Sequence, residues 1–280
     1  MDRDVRRDAR RRTWDKMASG WECRHEWTEA SMGVVNDWLI DRITPAPGQV
    51  VLEVAAGPGD LGHRVAQRVA PAGRVISTDF APEMVEVARR LGSAQGLDNV
   101  EYRTLDAEQM ALDDDSVDAV LCRSGYMLMA DPDAALRESR RVLRTGGALA
   151  FSVFTTAEEN PWFAVPARIF VERGHIPKPE PGGPGVFSMG DPGRIRELVT
   201  GASFADPEIE AIAFAFEHAD EDDVWNAIVD LKGPLAAAID AMDVEEREAT
   251  RSAVLDGFAP YRSAAGAYLV PTRTWGVLTS

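Results

Sequence analysis

Three carboxylates and a glycine turn carry the chemical signal in this sequence. Glu53 interrupts the apolar run of Val50, Val51, Leu52 and Val54, and Gly57, Pro58 and Gly59 follow at once. Asp79 closes the short segment RVISTD, and Asp106 follows NVEYRTL. Glycine lets backbone approach a ligand closely, and a helix that starts after such a turn offers unpaired N–H groups. Carboxylates accept hydrogen bonds from hydroxyls and amines and attract cations. An ionised carboxylate is costly to bury alone, so Glu53 must reach either the turn or a ligand cation. General base chemistry would fall to the histidines His25, His63, His175 and His218. His25 is the best placed of them for catalysis, although a lone histidine also fits a purely structural role. His63 follows the turn on a helix and is not expected to be a base. Arg123 and Tyr126, just beyond the run Val117–Cys122, are candidates to orient a second substrate.

The elements that position these residues alternate. Residues 13–42 read as helices, with Trp14, Met17, Ala18 and Trp21 at i, i+3, i+4 and i+7, then Met32, Val35, Trp38, Leu39 and Ile43. Pro45 and Pro47 end that run. The first strand, the glycine turn and a helix from Asp60 come next. Strands over Arg74–Asp79, Asn99–Leu105, Val117–Cys122 and Ala148–Phe154 follow, with helices opening at Pro82 and Asp131 between them. Gly146 and Gly147 are expected to end the latter helix. This alternation predicts an α/β fold with a doubly wound, mostly parallel sheet, and places ligands beyond the strand C-termini. Glu53, Asp79, Asp106 and Arg123 all lie at or near those ends. A proline- and glycine-rich loop over 177–193 reads as a lid or linker. A sixth strand over Glu208–Phe216, helices over 221–262 and a final strand over Tyr268–Leu278 complete the chain, with Pro271 placing the last near an edge. Asp118 reads as a structural turn acid and Cys122 as a small core residue.

Composition narrows the class. The 280 residues are 45% hydrophobic and carry a formal net charge of −16. An acidic surface repels phosphate backbones, which argues against nucleic acid as a partner. The basic N-terminal block MDRDVRRDARRR reads either as an anionic contact or as a solvated helix start. Two distant cysteines give neither a zinc site nor a disulfide framework, and no metal is expected. No apolar run approaches the ~20 residues of a membrane span, so a cytoplasmic protein is expected.

The pattern Gly57, Gly59, Gly62 also satisfies GxGxxG, which dinucleotide-binding oxidoreductases share. Asp79 would suit that reading, but Glu53 and Asp106 are acids a dinucleotide site does not need. S-adenosylmethionine is a nucleoside with a ribose diol, an adenine amine, an ammonium and a sulfonium, and it has no phosphate. It suits an acid-rich cradle whose turn holds no Lys or Arg.

VLEVAAGPG, ISTDFAPEMVEVAR, LDAEQM, DAVLCRSGYMLMADP and ESRRVLRTGG, in that order, resemble the motif series of class I S-adenosylmethionine-dependent methyltransferases, in particular the ubiquinone/menaquinone-biosynthesis group. The resemblance covers residues 13–155 well. It implies a Rossmann-like seven-stranded sheet with an antiparallel final strand and helical additions over the strand C-termini. It implies a helical cover (1–45), a cofactor-binding core (46–155), a lid loop (156–190) and completion of the sheet (191–280) with a helical insertion at 221–262. By the same resemblance Glu53, Ala55, Gly57 and Gly59 line the methionine end, and Asp79 binds the ribose. Phe80 and Met84 flank the adenine, Asp106 and Ala107 meet its amine, and Arg123 and Ser124 lie below the sulfonium. WDKMASGW resembles the family's cover motif, with Trp21 where Tyr is common, and Ala55 replaces the usual first glycine. The apolar and aromatic content of residues 13–30, 157–190 and 221–262, with Trp162, Phe163, Phe170, Phe187 and Trp225, favours a hydrophobic small-molecule acceptor, quinone-like, aromatic or a natural product. A homodimer remains open. The alternatives are an NAD(P)-dependent oxidoreductase and a non-catalytic cofactor-binding module.

Overall fold

The computed structural model describes residues 3–178, 182–231 and 233–280, with side chains from residue 7 onward. Pro179 and Pro181 of the proline-rich loop, and the first six side chains of the basic block, lie outside the described residues. The chain runs α1 (Arg3–Cys23), α2 (His25–Ile43), β1 (Val50–Val54), α3 (Asp60–Val69), β2 (Arg74–Asp79), α4 (Pro82–Ala94), β3 (Val100–Thr104) and β4 (Val117–Arg123). It continues with α5 (Pro132–Val142), β5 (Leu143–Phe154), α6 (Pro161–Glu172), α7 (Pro192–Gly201), β6 (Glu208–His218), α8 (Glu221–Leu231), α9 (Gly233–Asp240), α10 (Val244–Phe258) and β7 (Tyr268–Thr279).

The sheet has seven strands in the order β3-β2-β1-β4-β5-β7-β6. β1 to β5 are parallel, whereas β7 runs antiparallel to both β5 and β6. The order reverses between β1 and β4, which is where a doubly wound sheet opens a crevice at its strand C-termini. Both faces are covered. Val35, Leu39, Ile40 and Ile43 of α2 pack with Leu61, Val65 and Val69 of α3 on one face, and α5, α6 and α7 supply much of the other. Full burial of each such side chain stabilises by roughly 1.5–3 kcal/mol before entropy is counted. The second half of α2 is therefore a flank of the sheet as well as part of a cover.

Four expectations change in detail. Strand β5 begins at Leu143, directly after α5, and not at Ala148. Gly146, at φ +79°, lies in an irregular stretch where the β4–β5 register shifts, so these glycines serve a bulge and not a helix stop. The stretch expected as a lid loop contains α6. β7 is an interior strand, yet β5 pairs only with Thr274–Thr279, so Pro271 lies where β6 is the paired neighbour.

Candidate active site

The turn after β1 is built from left-handed backbone. Ala55 has φ 52°, Gly57 has φ 56°, and Gly59, which caps α3, has φ 84°. A Cβ on Gly59 would lie 2.9 Å from His63 Nε2, whereas one on Gly57 would meet nothing within 4 Å. Open space over a strained turn at strand C-termini is where a ligand approaches backbone.

Glu53 reaches beneath this turn. Its Oε1 accepts from Gly62 N at 3.0 Å and its Oε2 from Ser77 Oγ at 2.9 Å. A Cβ on Gly62 would overlap Oε2, so a larger residue there would displace the carboxylate from its present contacts. Burial pushes the carboxyl up to about 7, against the opposing pull of Ser77, Arg123 and Gly62 N–H. Of the two roles open to Glu53, bracing the turn is the one its contacts describe.

Asp79 and Asp106 end neighbouring parallel strands. Asp79 Oδ2 accepts from Gly57 N and Oδ1 from Ala81 N, both at 2.9 Å. Burial raises its pKa, and these backbone donors oppose the rise. A carboxylate has about four acceptor positions, and the N–H groups of Gly57, Ala81 and Phe80 take three, so Asp79 keeps one for a ligand. Asp106 Oδ1 accepts from Glu108 N at 2.9 Å, and its other oxygen pairs with Arg7 on α1. Leu105 N donates to Asp79 O at 2.9 Å and ties the two strand ends together. Phe80, next to Asp79, is half-buried. Met84 is buried with Met17, Ala18, Ala81 and Val87 between α1 and α4, and Ala107 joins the main core.

A polar cluster forms at the end of β4. Arg123 donates to Asn36 Oδ1 at 3.1 Å and lies 3.6 Å from Asp60 and 3.9 Å from Glu29. His25 Nδ1 is 3.8 Å from Asp60 Oδ1, so two of the three catalytic candidates meet around one carboxylate. Asp60 opens α3, where the helix dipole favours a negative charge. Burial raises the pKa of Glu29, while Arg123 and Arg64 lower it. Sequence reasoning missed Glu29, Asn36 and Asp60. Their signal was present: His25, Glu29 and Asn36 share one face of α2, and Asp60 directly follows the glycine turn.

Tyr126 requires a correction. It is fully buried, its hydroxyl is 2.7 Å from Ser139 Oγ, and its ring lies edge-on to Phe151 at 5.1 Å. It faces α5 and the core, not the strand mouth. Ser124 adopts φ 58°, and its Oγ is buried without a hydrogen-bond partner. Trp21 packs against the α4 cluster, 6.3 Å from Trp14, with its indole N–H buried and unpartnered. Asp118 accepts from Val50 N at 2.7 Å, a structural role. His63 hydrogen-bonds Tyr102 at 3.0 Å, and burial lowers its pKa.

On the side expected to roof an acceptor, Trp162, Phe170 and Trp225 are core residues, whereas Phe163 and Phe187 are half-buried. Trp27 of α2 stacks on Phe216 at 5.1 Å and donates to Glu217 O. Among the described residues no helix is long and apolar enough to cross a membrane.

Residues 45–173 match a family model described as a methyltransferase domain. The chain is 33% identical over 148 residues to a ubiquinone/menaquinone biosynthesis C-methyltransferase of Hahella chejuensis, covering 51% of this chain and 59% of that protein. It is 38% identical over 125 residues to the demethylmenaquinone methyltransferase of Thermus thermophilus, covering 44% and 54%. The chain thus spans about half the length of these curated relatives. In fold it is similar to phosphoethanolamine N-methyltransferase 2 of Haemonchus contortus in complex with S-adenosyl-L-methionine (TM-score 0.54, 16% identity, 88% of this chain and 52% of that one). It is also similar to the [4+2]-cyclase SpnF (TM-score 0.52, 21% identity, 88% and 79%).

Proposed function

We propose, from the premise that residues 45–173 are an S-adenosylmethionine-dependent methyltransferase domain, that the chain methylates a hydrophobic small molecule of quinone-like or aromatic type. The observation that carries the reading is the pair Asp79 and Asp106, on adjacent strand ends beside a glycine turn with open space over Gly57. The residues fit the cofactor. Asp79 keeps an acceptor position for a ribose hydroxyl, and Asp106 can accept from an amine. Ser124 Oγ and the Trp21 indole N–H are buried with no hydrogen-bond partner, and a polar ligand would supply one.

The cofactor supplies a methyl group on a cationic sulfur. The chain's residues hold and orient. Glu53 fixes the turn through Gly62, Asp79 fixes it through Gly57 N, and α1 with α2 excludes water from the strand ends. Holding the reacting atoms in line provides much of the acceleration in a displacement of this kind. Asp60 and Glu29 attract the cationic end of the ligand, and Arg123 balances them. His25, beside Asp60, takes the proton released by a hydroxyl or activated carbon acceptor. Half-buried Trp27, Phe163 and Phe187 support an apolar acceptor. The quinone class also draws on the names of the relatives from Hahella and Thermus.

Calorimetry with S-adenosylhomocysteine and NADH tests the cofactor, and tight NADH binding would overturn it. Asp79→Ala should weaken S-adenosylhomocysteine binding by roughly tenfold or more, the usual loss of hydrogen bonds to a charged group. Isotope-labelled methyl transfer to a demethylmenaquinol or a polyprenyl benzoquinol, read by mass spectrometry, tests the acceptor. Transfer only to a protein or tRNA would overturn it. Cofactor binding without transfer to any acceptor would favour a non-catalytic module or another chemistry, since this fold also serves a cyclase.

A further inference from the structure

The basic N-terminal block makes a specific contact. Arg7, on the first turns of α1, pairs with Asp106 at the end of β3. Three residues on, on the same helix face, Arg10 Nη1 is buried with no hydrogen-bond partner. The rest of α1 is anchored independently. Asp15 accepts from Glu83 N at the start of α4 at 3.2 Å, and Glu22 pairs with both Arg90 Nε and Nη2 at 2.9 and 2.7 Å. Trp14, Met17, Ala18 and Trp21 pack on Ala81, Met84 and Val87. The first turns can thus leave while the remainder stays. They are the weakest part of the helix, because the first four N–H groups of any helix lack intrahelical partners.

We propose that the first turns of α1 are an intramolecular competitor, in which Arg7 occupies Asp106 until a nucleoside ligand displaces it. The inference rests on the proposed cofactor, whose adenine amine is the group assigned to Asp106. Glu108 N takes Asp106 Oδ1, and Oδ2 is buried against the guanidinium, so an amine donor reaches Oδ2 only if Arg7 leaves. The two side chains are 27% and 21% exposed, although Asp106 Oδ2 itself is buried. Such a pair is weak enough for a ligand to break and strong enough to lower apparent affinity.

The test is calorimetry of S-adenosylhomocysteine binding to the wild type, Arg7→Ala and Arg7→Lys, with amide hydrogen exchange over residues 3–12. Arg7→Ala should bind about two- to fivefold tighter, the range for a partly exposed pair. Arg7→Lys should fall between the two. Raising salt should strengthen wild-type binding relative to Arg7→Ala. Ligand should speed exchange over residues 3–12 and leave 14–23 protected. Equal or weaker binding by Arg7→Ala, or slower exchange over 3–12 on adding ligand, would overturn the competitor. If neither protein binds S-adenosylhomocysteine, the cofactor reading falls as well. If both bind it equally, only the competitor falls.

Discussion

Glu53 sets a pH dependence that its surroundings make calculable. It is 2% exposed, and burial lifts its carboxyl from an ordinary value of 4.5 to about 7. The folded chain therefore holds this proton more tightly than the unfolded chain does. The resulting stabilisation is complete below about pH 4.5 and is lost as pH rises through about 7. At 1.36 kcal/mol per unit, the loss is on the order of 3 kcal/mol. Glu53→Gln keeps the shape and the acceptor for Gly62 N, turns the acceptor for Ser77 Oγ into a donor, and removes the titrating proton. Urea denaturation at pH 5 and pH 8 should show the wild type losing on the order of 3 kcal/mol more than Glu53→Gln. Equal losses in the two proteins would contradict the assignment. The charge of Glu53 was legible in the sequence, since an acid inside an apolar strand needs a partner. Which partner was not, because it depends on a missing Cβ nine residues later.

At the scale of elements, Tyr126 shows where adjacency misleads. It follows Arg123 and Ser124 in sequence, but a 3₁₀ turn over Tyr126–Leu128 rotates its ring into the core. Tyr126→Phe should cost about 1 kcal/mol, because Ser139 still donates to Ala135 O, and should leave kcat unchanged. A large kcat loss with unchanged stability would return Tyr126 to the site. Gly20 marks a tighter dependence. A Cβ there would overlap Asp230 O, so α1 and α8 touch backbone to backbone. Arg24 reinforces the contact through Asp223 and, at 2.8 Å, Asp230. Gly20→Ala should push α1 off α8 at a cost of about 1–3 kcal/mol. Limited proteolysis should then cut within residues 1–23 while the sheet survives, and S-adenosylhomocysteine affinity should fall. Resistance equal to that of the wild type would show that the two helices tolerate separation. The spacing of Trp14, Met17, Ala18 and Trp21 announced a buried helix face, but nothing local announced α8 as a second partner.

Across the whole molecule, the parallel half of the sheet was the most legible part. β1, β2 and β4 are short, mostly apolar runs that end at the glycine turn, Asp79 and Arg123, and α3, α4 and α5 open at Asp60, Pro82 and the cap Asp131. The antiparallel end was less so. Glu208–His218 and Tyr268–Thr279 pair along eleven positions although about fifty residues separate them, and no local pattern encodes so distant a register. Residues 1–45 are expected as a helical cover, and α2 also belongs to the core through Val35, Leu39 and Ile40, while α1 bridges α4, α8 and α9. That bridging predicts how the molecule responds to its ligand. The turn, the strand ends and the helices over them belong to one packed unit, so binding energy should stabilise all of it together. At a ligand concentration about 100-fold above Kd, linkage adds roughly 2.7 kcal/mol. At about 2–4 °C per kcal/mol for large domains, S-adenosylhomocysteine should raise Tm by about 5–10 °C. Scanning calorimetry should show one transition that moves as a whole. A second transition left in place by the ligand would mean that the helices over the strand ends melt apart from the sheet, and that the cover is a loosely attached layer after all.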